Sequence, residues 1–467
     1  MHASRPGIGS TTAALLAFAL VNGCVPGGTS SPESESCPAA NASAPATSGD
    51  PADPGGGDLV VVGRILTMDD PPMAEALLIE AGVVSCVGTR DDVLGAAGDA
   101  VPVVDIGSNV AYPGFIDAHA HWIGDREYYG LDSAEAAMDV ALGHGWTSIS
   151  EQWVNPERLD ELTALADDDA LPIRVDAYLA LNFGGEFFGD WYADREPGDV
   201  GDRLRVRGLK IHLDDGAGEV INWAPADLTE AIGRANEAGW QLSVHSVSTE
   251  AQDMVLDAYE AAIGATGPNP LHHRIEHAIE VSDEQLARMV AMDLVTVVHP
   301  DGGSVDWVLW NDYMGQGADY PADQKGWLTR MRDFVEAGLH VAAATDTPWF
   351  LPDFVLTDDI SRPHDQIAGG MDGVGREHPR TTDWILEQLL TADQGLRAVT
   401  VEAAYALGDE GRRGHLAPGT LGDVTILSGD VLDATPEEIR AMTVVATIVG
   451  GAVEFCGDAE VCGSLED

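Results

Sequence analysis

Six side chains that can bind a metal ion or exchange protons lie at the ends of apolar, strand-like segments. They are His119, His121, Lys210, His245, His277 and Asp346. The spacing of two between the first two histidines puts both imidazoles on the same side of an extended strand. In a parallel βα barrel the carboxyl ends of the strands surround the active site. If these segments are barrel strands, the six side chains meet at one metal site.

Lys210 is one of two lysines in the chain, the other being Lys325. With an ordinary pKa of about 10.4, very little of a lysine is neutral at pH 7. Neighbouring divalent cations disfavour the ammonium form, and a neutral amine that captures carbon dioxide becomes a carbamate, an anionic bridging ligand. Arginine cannot do this because its guanidinium stays protonated. We therefore expect a carbamylated Lys210; an ion pair with Asp214 or Asp215 is the alternative.

Runs of strand length alternate with helix-like segments through the middle of the chain. Eight runs can be counted: GFIDAHAHW, TSISEQW, IRVDAYLAL, RGLKIHL, QLSVHSV, HHRIEHA, LVTVVHP and HVAAATDTP. Segments such as SAEAAMDVALGHG and TEAQDMVLDAYEAA have helical character and fill most gaps. This alternation predicts an α/β fold with a TIM-like (β/α)8 barrel over residues 113–414. The aromatic and acidic segment 182–202 is interpreted as a long loop over the active face.

The two ends of the folded region share a different sequence pattern, which is typical of β-strands. DLVVVGRILTM, EALLIEAGVVSCVG and VPVVDIG near the start are β-rich runs separated by turns, and GDVTILSG and TVVATIVGGAVEF repeat the pattern near the end. We expect residues 58–112 and 415–467 to pair into one small composite β-sandwich domain.

The first residues indicate export rather than folded structure. An early arginine precedes an apolar stretch too short to remain as a membrane span, and Cys24 follows directly after Gly23. This order predicts a signal peptide over residues 1–24, of the lipoprotein type, with a lipidated Cys24 as a membrane tether. Residues 25–57 have the composition of a flexible linker. We expect an exported protein, on the outer face of a bacterial membrane as a lipoprotein, or periplasmic or secreted.

Charge and cysteine content limit the partners further. With 78 acidic against 24 basic residues the net charge is −54, so nucleic acid is repelled and is not an expected partner. Cys456 and Cys462 predict a small terminal disulfide, whereas Cys37 and Cys86 have no assigned partner. Because no cysteine pair has metal-ligand spacing, the metal site must use harder ligands.

The segments YPGFIDAHAHW, GLKIHLDDG, LSVHSV, HHRIEHA, ATDTP and AYALGDEGRRGHLAPGTLGDVTIL together resemble the metal-dependent amidohydrolase superfamily. Within it the chain is most similar to amidohydrolase family 3, which contains N-substituted formamide deformylases. The resemblance implies a TIM-like barrel with a composite β-domain and two divalent metal ions, with zinc as the default. It places one ion on His119, His121, Lys210 and Asp346, and the other on Lys210, His245 and His277.

The same resemblance implies hydrolysis of a non-peptide C–N bond in a small amide-like substrate, through a metal-bridged hydroxide. Asp346 would act as general acid and base. His299, Trp122 and His212 are the candidates for substrate contact. A deaminase is less favoured, because Glu276 precedes His277 on its strand and should point away from the barrel lumen.

Two other classes of protein remain open. A metal-free Schiff-base lyase would also use a lysine on a barrel strand, here Lys210, but it has no need of the other ligands. A lipid-tethered, non-catalytic ligand-binding barrel is the alternative without enzymatic activity. Activity that survives a chelator would favour the lyase.

Overall fold

The computed structural model describes residue 37 and residues 56–215, 220–301, 325–349, 362–374 and 383–463. The chain divides into two compact units, Met1–Ser36 and Cys37–Asp467, and every described residue belongs to the second. The predicted signal peptide, Cys24 and nearly all of the predicted linker lie outside the described residues. Within the described ranges, no helix has both the length and the apolar character needed to cross a membrane.

Segments from both ends of the folded region form one seven-stranded sheet. Its strands are β1 (Leu59–Leu66), β2 (Met73–Glu80), β3 (Val83–Gly88), β4 (Val103–Pro113), β16 (Val424–Leu427), β17 (Val444–Val449) and β18 (Ala452–Cys456). They lie in the order β18-β17-β16-β4-β1-β2-β3. The pairing of β4 with β16 joins the two ends, with Val424 opposite Pro113. The predicted composite β-domain is therefore confirmed, as a single continuous sheet.

Eight parallel strands of the second sheet run in chain order around a nearly closed barrel. They are β5 (Phe115–Ala120), β6 (Trp146–Val154), β7 (Arg174–Ala180), β11 (Leu204–His212), β12 (Gln241–Ser246), β13 (Arg274–His277), β14 (Val295–Val298) and β15 (His340–Ala343). At the seam the Asp346 N–H donates to the His119 carbonyl (2.9 Å) and the His121 N–H donates to the Thr347 carbonyl (3.0 Å). Each of the eight predicted strands is present, and the TIM-like barrel is confirmed.

Three two-residue strands belong to the segment that was interpreted as a loop over the active face. They are β8 (Asn182–Phe183), β9 (Glu186–Phe187) and β10 (Gly198–Asp199). β8 pairs with β9 and β10 pairs with β11. The segment is therefore attached to the fourth barrel strand, which carries Lys210.

Helices alternate with the barrel strands, and shorter helices accompany the sheet made from both ends. Described helices span Arg90–Ala96, Ala134–His144, Pro156–Asp167, Pro225–Glu237, Thr249–Ile263, Asp283–Ala291, Met331–Glu336, Pro363–Asp372, Asp383–Leu386, Ala392–Ala398, Val401–Ala406, Pro436–Arg440 and Ala459–Cys462. Ser133, Ser248 and Ser282 cap three of them through side-chain oxygens that accept N–H groups of the first turn. Because helices cover its outside, the barrel strands can be buried on both faces, as in β5 and β7, where every residue is buried.

The disulfides connect peripheral parts of the sheet domain. Cys456 pairs with Cys462, as the sequence predicts. Cys37, whose partner the sequence leaves open, pairs with Cys86 on β3. This second bond ties residue 37, within the predicted linker, to the sheet.

Candidate metal centre

A cavity of about 210 Å³ opens at the carboxyl ends of the barrel strands. The six predicted ligands all line it, together with His212, Trp153, Phe183, Val247, Ile279 and Trp349. Residues separated by up to 227 positions in sequence, from His119 to Asp346, thus share one pocket. The barrel brings them together because its parallel strands all end on the same side.

Asp346 lies between the two histidines of the HxH pair. Its Oδ1 atom is 3.2 Å from His119 Nε2 and 3.2 Å from His121 Nε2. Ligand atoms of these three residues lie within 4.8 Å of one another, and the same is true of His277, His299 and Asp346. The carboxylate is therefore placed where it can reach an ion on either side.

Left-handed backbone conformations aim two of these side chains. The φ angles are 50° at Asp346 and 71° at His277, which is uncommon for residues with a side chain and marks a local departure from the strand. Strict strand alternation therefore stops at both positions. This explains how consecutive residues at the end of β13 can both face the interior.

Glu276 corrects one expectation from the sequence. It was predicted to point away from the lumen, yet it lies opposite the inward-facing His245 in the β12–β13 register. Its Oε2 atom accepts a hydrogen bond from His119 Nδ1 at 2.5 Å, and its Oε1 atom pairs with Arg274 Nε at 2.5 Å. The prediction was wrong because Glu276 is the regular inward residue of β13, whereas His277 reaches the site through its left-handed turn.

Hydrogen bonds define which ring nitrogen of His119 can bind a metal. Glu276 is an acceptor, since burial raises the pKa of its carboxyl but the charges of Arg274 and His119 hold that pKa well below the ordinary value. His119 Nδ1 must then carry the proton, which leaves the lone pair on Nε2. Carboxylate partners commonly orient metal-binding histidines in this way. Lys210 Nζ lies 3.4 Å from the same Nε2 atom.

A chain of two hydrogen bonds, which we call the relay, sets the protonation of His277. The Ala344 carbonyl accepts from His299 Nδ1 (2.9 Å), so His299 Nε2 is the acceptor for His277 Nδ1 (2.8 Å). The lone pair of His277 is then on Nε2. His299, a candidate for substrate contact, is fully buried and lies behind His277 in this relay.

His245 offers the most direct test of whether the residues fit a metal ion. Its Nε2 atom is buried and has no hydrogen-bond partner among the described residues. Burial, followed by the charges of His212 and Lys210, lowers the pKa of His245 well below its ordinary value, so the ring is neutral. A neutral imidazole with an unused buried nitrogen is the state that a metal ion binds. The donor set therefore fits a divalent ion.

Lys210 is fully buried at the centre of the group. Burial lowers its pKa to about 8. The Asp214 carboxylate, the alternative ion-pair partner, instead accepts the backbone N–H groups of Val247 and Ser248 (2.8–3.2 Å). Burial thus favours the neutral amine more than in an exposed lysine, and the described residues show no ion pair between Lys210 and Asp214.

The remaining predicted contacts separate into two groups. His212 lines the cavity, whereas Trp122 lies in the core, where its Nε1 donates to Asp117 Oδ2 at 3.0 Å. Trp122 is thus not among the described residues that line the cavity, because the chain has already turned outward past His121. Trp153, Phe183 and Trp349 supply the apolar wall instead. Phe183 was not singled out in the sequence, although the aromatic character of segment 182–202 was the available signal.

Comparisons with known proteins identify the family of the chain. A profile described as the amidohydrolase family matches residues 125–455. N-substituted formamide deformylase of Arthrobacter pascens is 26% identical over 236 residues, which make up 50% of this chain and 40% of that protein. The chain thus spans less than half the length of this curated relative.

Solved structures share the fold. An uncharacterized metal-dependent hydrolase of Pyrococcus horikoshii superposes with a TM-score of 0.65 at 16% identity, over 81% of this chain and 99% of the other. A Xaa-Pro dipeptidase with bound methionine superposes with a TM-score of 0.60 at 14% identity, over 86% and 100% of the two chains. At these identities the likeness concerns the fold alone. The family match, which covers most of the chain, shows that this protein belongs to the amidohydrolase family.

Proposed function

We propose that the protein is a metal-dependent hydrolase that cleaves an amide-like C–N bond other than a peptide bond. The observation that supports this proposal best is the convergence of deprotonated nitrogens. His119 Nε2 and His277 Nε2 carry lone pairs by hydrogen-bond assignment, and His245 Nε2 is buried without a hydrogen-bond partner among the described residues. A site that never binds a metal would leave the buried His245 Nε2 without a hydrogen bond, at a cost of about 1–3 kcal/mol.

The ligands divide between two positions. His119, His121 and Asp346 would hold one ion, His245 and His277 would hold the other, and a carbamylated Lys210 would be shared by both. Zinc suits this set of imidazoles and carboxylate-type oxygens. Two such ions, when bound, supply a water of lowered pKa and polarise the substrate carbonyl.

Asp346 is the residue that moves protons in this proposal. Burial raises the pKa of its carboxyl, but the charges of His119 and His277 together with hydrogen bonds hold that pKa well below the ordinary value. It is therefore ionised and can accept a proton from the attacking water at Oδ1 or Oδ2. It then gives that proton to the leaving nitrogen, so that the amine departs neutral and the carboxylate is regenerated.

Metal analysis of the purified protein, followed by a substrate panel, tests this proposal. Formamides, N-acylated amino acids, ureas, cyclic amides and a Xaa-Pro dipeptide should be assayed with and without a chelator. We expect bound divalent metal, and hydrolysis of a non-peptide amide that chelation abolishes and metal restores. Full activity in the chelated protein would instead support the lyase that uses Lys210, and bound metal with no turnover of any panel member would support the binding barrel.

Export as a lipoprotein is part of the same proposal. The pairing of Cys37 with Cys86 and of Cys456 with Cys462 supports an oxidising compartment. Labelling of the expressed protein with radioactive palmitate should depend on Cys24. Label retained by a Cys24→Ser variant would contradict the tether.

A further inference from the structure

The histidine that ends β11 has its backbone fixed by two asparagines. The His212 N–H donates to Asn182 Oδ1 (3.0 Å), and the His212 carbonyl accepts from Asn182 Nδ2 (2.8 Å) and Asn222 Nδ2 (3.3 Å). His212 is two residues beyond Lys210, so both side chains project from the same strand face. The ring lines the cavity and is only partly buried. A held, accessible ring at this position can contact a bound molecule.

The protonation of His212 differs from that of the metal-ligand candidates. The Gly184 N–H donates to His212 Nδ1 at 2.9 Å. A backbone N–H can only donate, so Nδ1 carries the lone pair and Nε2 carries the proton of the neutral ring. Nε2 is consequently a hydrogen-bond donor and cannot bind a metal in this state. The neighbouring ring of His245, whose centroid is 4.5 Å away, differs in that its buried Nε2 atom has no hydrogen-bond partner among the described residues.

Aromatic neighbours fix the plane of the ring. Phe183 stacks on His212 at a centroid distance of 5.8 Å and an interplanar angle of 26°. Trp153 meets the ring edge to face at 5.0 Å and 66°. With Nδ1 anchored to Gly184 and the ring held on two sides, the direction of Nε2–H is set before any ligand binds. A donor that is oriented in advance needs no reorganisation during a reaction.

We propose that His212 Nε2–H donates a hydrogen bond to the carbonyl oxygen of the substrate. This inference rests on the proposed hydrolase function and specifies the substrate further: a small amide or urea whose carbonyl oxygen faces His212 while a flat apolar group lies against Trp153 and Phe183. As water adds to the carbonyl carbon, the C=O electron pair moves to the oxygen. The negative charge that develops there strengthens the hydrogen bond from Nε2–H.

Nitrogen NMR of histidine-labelled protein tests the assignment without any turnover. In the ligand-free protein, His212 should show a protonated Nε2 and a non-protonated Nδ1, with the signal identified by its loss in His212→Phe. Addition of benzamide, which has a carbonyl oxygen and a flat apolar ring, should shift the Nε2–H proton signal. A proton on Nδ1, or an Nε2–H signal that benzamide leaves unchanged up to its solubility limit, would overturn the proposal.

Kinetics and metal content supply the second test. His212→Phe keeps an aromatic ring for stacking but removes the donor, and we expect kcat/KM to fall by about 30-fold or more with unchanged metal content. His415→Phe, at a partly buried histidine outside the cavity, is the matched control and should keep wild-type kcat/KM. Loss of metal from His212→Phe, or a kcat/KM within twofold of wild type, would refute the role. Absence of hydrolysis by metal-loaded wild type would instead contradict the proposed function, and the NMR result would then decide the role of His212 as a carbonyl-binding donor.

Discussion

Replacement of Glu276 by glutamine is the sharpest test of how the site is held together. The carboxylate accepts from His119 Nδ1 on one side and from Arg274 on the other, and both Glu276 and Arg274 are fully buried. Glutamine keeps the shape but offers an acceptor to one partner and an N–H donor to the other. One of the two hydrogen bonds therefore becomes a donor–donor contact, and the Arg274 charge loses its counter-ion.

The size of the effect follows from burial. Breaking a buried ion pair by removing one charge costs about 3–5 kcal/mol, because the remaining charge is left buried and unpaired. Loss of the carboxylate that orients a metal-binding histidine typically costs about 10- to 100-fold in metal affinity. We therefore expect urea unfolding of Glu276→Gln to give a free energy of unfolding about 3–5 kcal/mol below that of the wild type. In competition with a chelator, the variant should bind zinc at least about tenfold more weakly.

A second histidine–glutamate pair in the chain provides the control. Glu402 Oε2 accepts from His340 Nδ1 at 2.7 Å, but the His340 side chain is 35% exposed and the Glu402 side chain 20%. Because water can replace such a contact, Glu402→Gln should cost at most about 1 kcal/mol and leave zinc affinity unchanged. Equal losses of stability in the two variants, or a Glu276→Gln variant with wild-type zinc affinity, would refute the role assigned to the buried carboxylate.

Three further predictions concern other parts of the chain. Lys210→Ala should lose more than 100-fold in activity and regain part of it with added acetate, whereas Lys210→Arg should not be rescued; rescue of neither would argue against a carbamate. Burial raises the pKa of Glu280 to about 7, above its unfolded value near 4.5. Between these two pH values the folded protein therefore binds more protons than the unfolded protein. The free energy of unfolding should then fall as the pH rises through this window. In urea titrations from pH 5 to 8, Glu280→Gln should show a flatter dependence than wild type, and parallel curves would contradict it. Asp423 accepts two hydrogen bonds from Arg174 (2.7 and 2.9 Å) where the barrel meets the end sheet. Asp423→Asn should therefore lower the free energy of unfolding by about 3–5 kcal/mol and leave the metal content unchanged. Loss of metal from this variant would contradict the prediction and show that the junction and the site are coupled.

Features that depend on neighbours along the chain could be predicted from the sequence. The eight barrel strands were recognisable as short apolar runs, and parallel strands of a barrel end on one side whatever the details of packing. That rule alone was enough to bring His119, His121, Lys210, His245, His277 and Asp346 to one place. The sheet made from both chain ends followed from β-rich runs that had no partner nearby in sequence.

Features that depend on contacts across strands required the tertiary structure. Glu276 faces the lumen because of its register with His245 on the neighbouring strand, and His277 reaches the same site through a left-handed turn; strand alternation reveals neither feature. The Gly184 N–H that sets the proton of His212 comes from another segment, 28 residues away. Hydrogen-bond partners that only the folded chain brings together thus decided which histidines can bind a metal and which must donate a hydrogen bond. The physical reason is that the hydrogen-bond partner of one ring nitrogen determines which nitrogen carries the proton.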